Sequence, residues 1–228
     1  MLDRESIRRG AVAEIIAEGE KLGLIRRTTA AERLASRRRM LASVTPGQDI
    51  WVFGYGSLMW NPAFEHVERR PGVIHGYHRS FCLWAPVGRG SPDNPGLLLG
   101  LDRGGSCCGV AFRIAAAQAE EELDIIWARE MVAHSYEPRW VTVRTAEDAH
   151  RAIAFVMNHD SKFYAGRLPE AIVARHIATA AGSLGPCADY LVNTVAHLDE
   201  LGIRDGPLHA LLERVRRLHI SSEREERP

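Results

Sequence analysis

The pattern of hydrophobic and polar positions changes at about residue 46. The chain up to that point lacks aromatic residues and proline, and its apolar residues recur at helical spacing among arginine, alanine and glutamate. We predict two helices here, 4–22 and 30–43. The second helix has a capping-box pattern, in which Thr29 is followed three residues later by Glu32. Residues 1–46 are therefore predicted to form an N-terminal helical extension.

The rest of the chain shows strand patterns first and helical patterns later, which favours an α+β fold over alternating βαβ units. Gly104-Gly105 stands between two apolar runs and predicts a hairpin turn. We expect one domain over 47–220, followed by a flexible tail, 221–228. The predicted strands are 50–55, 72–85, 97–102, 108–114, 139–145 and 151–157, and the predicted helices are 118–133, 169–182, 187–201 and 207–219.

Charge and composition narrow the class of protein. The 228 residues carry a formal net charge of zero, which argues against a general nucleic-acid binder. The run Arg37-Arg38-Arg39 is interpreted as a solvated helix face, with an anionic partner as the less favoured alternative. No apolar run approaches the roughly 18 residues that span a membrane, and the N-terminus lacks a signal-peptide pattern. We therefore expect a cytoplasmic protein that has no membrane partner.

The cysteine pattern favours the same compartment. The four cysteines form no Cys-x-x-Cys pair, so we expect reduced thiols rather than a disulfide framework or a zinc site. These cysteines are Cys82, Cys107, Cys108 and Cys187.

One carboxylate stands out because of its helical spacing. Leu123, Ile126, Trp127 and Glu130 follow the i, i+3, i+4, i+7 pattern, which places Glu130 on the apolar face of its own helix. A carboxylate there is either paired or has a raised pKa. The structural alternative is an ion pair with a buried arginine. The functional alternative is a general acid/base whose pKa is lifted toward neutrality by desolvation.

A second candidate is the glycine-rich turn that follows the first predicted strand, within residues 51–62. Such a turn leaves backbone N–H groups free to converge on an anionic ligand. Ser57 lacks the Gly-x-Ser-x-Gly pattern of a serine hydrolase, and Gly54-x-Gly56 lacks the third glycine of a dinucleotide site. His75 and His78 have metal-like spacing, but no further ligands accompany them, so a metal site is not favoured.

Several separate motifs, in order, resemble the ChaC-like γ-glutamylcyclotransferases, in their glutathione-specific branch. The resemblance covers about residues 50–200 and leaves the first 45 residues aside. Leu58, which follows Gly-Ser, resembles this branch, since the separate γ-glutamyl-amino-acid branch typically carries asparagine there. The matching segments are 51–58, 81–84, 95–97, 109–113, 127–131 and 190–191.

The resemblance implies a small mixed or antiparallel β-barrel, partly closed, with helices around it. It also implies cleavage of glutathione to 5-oxoproline and cysteinylglycine, without ATP, metal or other cofactor. Glu130 would be the catalytic carboxylate, and Tyr190 would contact the substrate. The γ-glutamyl group would be held by Tyr55, Gly56, Ser57 and Leu58.

Three questions stay open in the sequence. Arg79, Arg89 or Arg113 could meet the glycine carboxylate of glutathione, although a structural role is favoured for each. The substrate could instead be another γ-glutamyl peptide or amine. The protein could also be a non-catalytic γ-glutamyl-binding module whose N-terminal helices bind a partner, whereas the simplest role for these helices is to pad the barrel.

Overall fold

The N-terminal region is helical, as predicted, but the first helix is interrupted. The computed structural model describes residues 3–225, with side chains described for residues 3–220. The helices are α1 (Arg4–Arg8), α2 (Ala11–Lys21) and α3 (Ala30–Leu41). The single helix predicted over 4–22 is wrong, because Gly10 between α1 and α2 has a φ of +93°. Glycine adopts such values without steric cost and ends the first helix there.

The capping box that begins α3 is confirmed. The Thr29 hydroxyl accepts a hydrogen bond from the Glu32 N–H at 3.1 Å, and the Glu32 carboxylate accepts one from the Thr29 N–H at 2.7 Å. The solvated-face interpretation is wrong for Arg37, which is 6% exposed and pairs with Asp124 at 2.8 Å. Arg37 therefore fastens α3 to a later helix.

Among the described residues, five strands form a closed barrel in the order β1-β3-β2-β4-β5. β1 runs antiparallel to β3, with Ile50 opposite Ile114, and parallel to β5, with Val52 opposite Ile153. The predicted α+β class and the mixed barrel are thus confirmed. The strands are β1 (Ile50–Gly54), β2 (Glu68–Ala85), β3 (Gly96–Ile114), β4 (Tyr136–Arg144) and β5 (Ala149–Met157).

The hairpin predicted at Gly104-Gly105 is wrong, because β3 continues through both residues as one strand. Their φ values are +93° and +69°, and Gly76 in β2 has a φ of +87°. His78 Nδ1 lies 3.1 Å from the Gly104 carbonyl oxygen, so β2 and β3 are in contact there. Glycines of this kind bend a strand locally without ending it, and the sequence alone does not distinguish such a bend from a turn.

In the described part of the chain, four of the five remaining helices lie near the predicted ranges, and the short helix over residues 57–60 was not predicted. α8 continues to Glu225, so the predicted flexible tail begins inside a helix, and residues 226–228 lie outside the described part. A short sheet pairs Ala181–Gly182 with Gly185–Pro186. The helices are α4 (Ser57–Trp60), α5 (Ala119–Glu130), α6 (Glu170–Thr179), α7 (Cys187–Glu200) and α8 (Gly206–Glu225), and a 3-10 turn, Ala116–Gln118, precedes α5.

The chain divides into two compact units. The first contains the residues up to Ser80 together with Gly100–Tyr164, and the second contains Phe81–Leu99 together with the chain from Ala165 onward. In the first unit the Trp127 and Phe155 rings meet edge to face at 5.1 Å, and each is 1% exposed. In the second unit α6 packs against both α7 and α8. The N-terminal helices therefore belong to the same unit as α5.

Three further observations concern the chemistry predicted from composition. All four cysteines are in the thiol form, in agreement with the prediction of reduced cysteines. Within residues 3–225, no group of histidine, cysteine and acidic residues has the arrangement of a metal site. No helix in the described part of the chain combines the length and the apolar character that crossing a membrane requires.

Candidate active site

Helix α5 places Glu130 on its buried face, as its spacing predicted. Leu123, Ile126 and Trp127 are at most 1% exposed, and the Glu130 side chain is 13% exposed. Burial raises the pKa of the Glu130 carboxyl above its ordinary value, and the nearby charge of Arg129 opposes that rise. The pKa of Glu130 is therefore higher than that of an ordinary carboxylate.

Arg129 connects Glu130 to the glycine-rich turn. Its Nε lies 3.1 Å from Glu130 Oε1, and its Nη2 donates a hydrogen bond to Ser57 Oγ at 2.8 Å. Nη1 donates to the Asn61 carbonyl, and the side chain is only 8% exposed. The Glu130 carboxylate is therefore paired with a buried arginine, and its pKa is still raised.

Sequence reasoning missed Arg129. Adjacent residues on a helix point about 100° apart, so spacing placed Arg129 off the apolar face and gave no reason to select it. The available signal was its place immediately before a carboxylate on an apolar face, which requires a cation nearby if it is to stay ionised. Recognising its other partner, Ser57, requires the fold, because 72 residues separate the two.

The glycine-rich turn follows β1 and is largely buried. Tyr55 is 6% exposed, and its hydroxyl donates to the Phe155 carbonyl at 2.9 Å. The Tyr55 carbonyl accepts from Arg79 Nε at 2.5 Å. Leu58 is 4% exposed, whereas Ser57 is partly exposed. The side chains of Tyr55 and Leu58 thus anchor the turn in the core.

Glycines allow this turn to approach its neighbours closely. A Cβ on Gly54 would lie 3.1 Å from the Leu58 Cβ and 3.2 Å from the Phe112 ring. A Cβ on Gly109, in β3, would lie 2.3 Å from the Gly54 carbonyl oxygen, a distance that real Cβ atoms do not adopt. Any larger residue at position 109 would push β3 away from the strand end that carries the turn.

The backbone of the turn has the geometry of a helix start. The Met59 N–H donates to the Gly56 carbonyl at 2.9 Å, and the Asn61 N–H donates to the Ser57 carbonyl at 2.8 Å. The first N–H groups of a helix have no acceptor within that helix. The N–H groups at the beginning of α4 therefore have the character expected of a binding turn.

The other predicted site residue, Tyr190, lies in α7 of the second unit. It is 8% exposed and contacts Phe81 edge to face at 6.1 Å. In the first unit, by contrast, Arg129 brings Ser57 and Glu130 together.

The three arginines considered for the glycine carboxylate all have protein partners. Arg113 pairs with Asp49 at 2.6 Å and with Glu68 at 2.7 Å. Arg79 and Arg89 each donate to backbone carbonyl groups. These contacts agree with the structural role that the sequence favoured.

The serine-hydrolase alternative fails on the partner of Ser57. A guanidinium donates hydrogen bonds and does not accept a proton, so Arg129 cannot activate the hydroxyl as a base. A separate cleft of about 630 Å³ is lined by Thr28, Met131 and His134, among other residues of the first unit. None of the predicted site residues lines that cleft.

Comparison with known proteins identifies the family. A family model described as ChaC-like protein matches residues 50–218. The chain belongs to the ChaC-like family. This ChaC-like chain is 39% identical over 191 residues to a glutathione-specific γ-glutamylcyclotransferase of Escherichia coli K12, covering 83% of each chain. It is 37% identical to γ-glutamylcyclotransferase 2-3 of Arabidopsis thaliana, covering 78% of this chain and 92% of that protein.

A solved structure supports the fold of this ChaC-like protein. The crystal structure of a yeast γ-glutamyl cyclotransferase specific to glutathione matches with a TM-score of 0.68 and 23% sequence identity. The match covers 74% of this chain and 96% of the yeast chain. The barrel with surrounding helices is therefore the fold that the motifs predicted.

Proposed function

We propose that this protein is a γ-glutamylcyclotransferase that acts on glutathione and releases 5-oxoproline and cysteinylglycine. The observation that carries the proposal is the buried Glu130 carboxylate, which Arg129 links to the Tyr55–Leu58 turn. The activity named for the Escherichia coli relative, 39% identical over most of both chains, supports the choice of substrate.

The reaction needs a group that takes a proton and then returns it. The α-amino group of glutathione is an ammonium at neutral pH, so Glu130 first accepts one proton from it. The freed amine then attacks the γ-carbonyl carbon, and the new C–N bond closes a five-membered ring. The bond from that carbon to the cysteine nitrogen breaks, and Glu130 returns the proton to the departing amine. The ring nitrogen still carries one proton too many, and this second proton also passes to the cysteine nitrogen, which leaves as an ammonium. No atoms are gained or lost, and no oxidant or reductant takes part.

The two opposing influences on Glu130 suit both steps. A carboxylate with an ordinary pKa is a poor proton donor at neutral pH, and burial corrects this by raising the pKa. Burial favours the protonated form of Glu130, and the Arg129 charge favours the ionised form and opposes the rise in pKa. Glu130 can therefore act as base and then as acid.

The turn is proposed to hold the γ-glutamyl group. Gly56, Ser57 and Leu58 offer backbone N–H groups at the start of α4, either to the substrate α-carboxylate or to the oxyanion of the tetrahedral intermediate. Tyr55 contributes by fixing the turn through its hydroxyl bond to Phe155. Tyr190 is kept as a proposed substrate contact. Bringing the amine and the carbonyl together supplies the proximity part of the rate.

Location and domain organisation are proposed on weaker observations. Four free thiols are typical of a reducing compartment, which supports a cytoplasmic location. We propose residues 47–220 as the cyclotransferase domain and residues 1–46 as an extension of it, in line with the family match over 50–218.

The direct test incubates the purified protein with glutathione in the presence of a chelator and measures 5-oxoproline and cysteinylglycine. We expect equal amounts of both products and a much slower reaction with γ-glutamyl-alanine. Equal rates on the two substrates would favour a general γ-glutamyl enzyme. If neither substrate yields 5-oxoproline, the proposal fails and a non-catalytic binding module becomes the better account.

A further inference from the structure

The end of α5 is held by a residue from the N-terminal extension. Glu130 is the last residue of α5, and the carbonyl groups beyond a helix end have no partner within the helix. Thr28 supplies two donors to them: its hydroxyl bonds the Met131 carbonyl, and its N–H bonds the Val132 carbonyl at 2.9 Å. Thr28 is 3% exposed, so both bonds are shielded from water.

Thr28 is itself fixed from the opposite side. Its carbonyl accepts a hydrogen bond from Arg33 Nη1 at 2.7 Å, and the next residue, Thr29, caps α3. Further along, the His134 carbonyl accepts from Asn158 Nδ2 at 2.9 Å. The four residues that follow Glu130 are therefore pinned at both ends, and Thr28 provides the bonds nearest to the carboxylate.

Other contacts between the extension and α5 lie farther from Glu130. Arg4 pairs with Glu122 in the first turn of the helix, and Arg37 pairs with Asp124. Ser36 accepts a hydrogen bond from Trp127 Nε1 at 3.2 Å. These contacts are made by side chains that project from the helix, whereas Thr28 bonds carbonyl groups just beyond its last turn, which otherwise tends to fray.

We propose that Thr28 is a positioning residue for Glu130, so that the N-terminal extension takes part in the reaction through the end of α5 instead of only padding the barrel. This inference rests on the proposed function of Glu130. A hydrogen bond that holds the terminal turn keeps the carboxylate at a fixed depth in the core, beside Arg129. If that bond is lost, the turn loosens and water reaches the carboxylate.

The test compares three variants of the full chain. Thr28→Val keeps the shape of the side chain but lacks the hydroxyl donor, whereas Thr28→Ser retains the hydroxyl. Ser36→Ala is the matched control, because it removes a hydrogen bond between the extension and α5 that involves the Trp127 ring and not the carbonyl groups beyond Glu130. We expect Thr28→Val to lower kcat about tenfold with little change in KM, because small displacements of a reacting group are costly. Thr28→Ser should recover most of the rate, and Ser36→Ala should keep it.

Two readouts separate positioning from general destabilisation. In Thr28→Val the acid limb of the kcat/KM profile should move to lower pH, because a solvated carboxyl returns toward its ordinary pKa. Among the described contacts, Arg129 is the charged group against Glu130, and all three variants retain it. Hydrogen exchange at the Met131 N–H, which donates to the Trp127 carbonyl, should speed up about tenfold in Thr28→Val alone.

The outcomes also separate this inference from the proposed function. If Thr28→Val shows the wild-type exchange rate at Met131, the wild-type rate and the wild-type pH profile, the positioning role is overturned. If Ser36→Ala lowers kcat as much as Thr28→Val, the effect is general and the inference is again overturned. If the wild-type protein does not turn over glutathione, the proposed function fails, and the exchange measurement still decides whether Thr28 holds the helix end.

Discussion

The two ends of α5 each carry a buried glutamate, and the two differ in chemistry. Glu122 is 1% exposed, and its carboxylate accepts bonds from Arg4 and from the Glu65 N–H at 2.8 Å. Burial pushes the pKa of Glu122 upward, but these donors outweigh it and hold the pKa below its ordinary value. Glu130 has one cationic neighbour, Arg129, and burial raises its pKa.

The difference shows that donors, and not burial alone, decide what a buried carboxylate can do. Both side chains have little solvent exposure, 1% for Glu122 and 13% for Glu130, and the two residues lie about 12 Å apart along the same helix. It is satisfied by a bidentate arginine and a backbone N–H, so it stays ionised and stabilises the fold. Glu130 shares its arginine with Ser57 and Asn61, and the pairing with Arg129 does not offset the effect of burial, so the pKa of Glu130 is raised.

The largest expected effect comes from Glu130→Gln. Removing the acid/base should lower kcat by about 10²–10⁴-fold, because an amide neither accepts nor returns the proton. The circular dichroism spectrum and thermal midpoint should stay close to those of the wild type. A folded Glu130→Gln protein that keeps most of the wild-type turnover would contradict the proposed role of Glu130 as the acid/base.

The matched change at the other end of the helix is Glu122→Gln. It removes the charge that Arg4 pairs with, so we expect a loss of about 2 kcal/mol in the free energy of unfolding, since Arg4 keeps some contact with water. Turnover per folded molecule should stay within about twofold of the wild type, whereas the loss of an acid/base lowers it by about 10²–10⁴-fold. Urea denaturation and active-enzyme kinetics measure the two quantities. A large loss of kcat without a loss of stability would contradict the structural role of Glu122.

A smaller effect is expected for Arg129→Lys. Lysine keeps the positive charge, but its single ammonium group cannot bond Glu130, Ser57 and Asn61 together as the planar guanidinium does. We expect kcat to fall about tenfold, on the scale typical of a displaced reacting group. Steady-state kinetics test this, with Arg4→Lys as the control that weakens the Glu122 pair instead. Equal activity losses in the two lysine variants would show that α5 responds as a whole and not at one end.

The smallest effect is a difference in pH dependence. The acid limb of kcat/KM should lie above the ordinary glutamate pKa, because the pKa of Glu130 is raised. Glu122 has the opposite sign: its lowered pKa adds stability that is present above the unfolded pKa and is lost as pH falls through the folded pKa. Denaturation curves at several acidic pH values should show this loss in the wild type and not in Glu122→Gln. The same slope in both proteins would contradict the assignment.

Local signals in the sequence predicted much of the site. The apolar run that ends in Gly-x-Gly-Ser gave β1 and its turn, and the helical spacing of Leu123, Ile126 and Trp127 placed Glu130 on the buried face. The Thr29 capping box began α3 where expected. Each of these signals depends on residues close together in the chain, whose geometry follows from backbone periodicity.

The parts that were missed depend on distant partners. The partner of Glu122 is Arg4, 118 residues earlier in the chain. An acidic residue in the first turn of a helix is explained locally by the helix dipole, so nothing near Glu122 in the sequence indicated a buried ion pair. Arg37 was assigned to a solvated face because its partner on α5, Asp124, lies 87 residues later in the chain. Gly104-Gly105 has the composition of a turn, and only the pairing of long strands shows that the strand bends there and continues.

The guanidinium that Arg129 shares between the turn and the end of α5 also limits which substitutions this protein can accept together. Ser57 and Glu130 lie 73 positions apart, yet one side chain holds both. Effects of substitutions at two positions with a common partner do not add. Mutant libraries that vary the turn but keep the end of α5 fixed will therefore contain many combinations in which Arg129 cannot bond both elements. Attempts to redirect the enzyme to new substrates should diversify positions 57 and 129 as one set and keep Glu130.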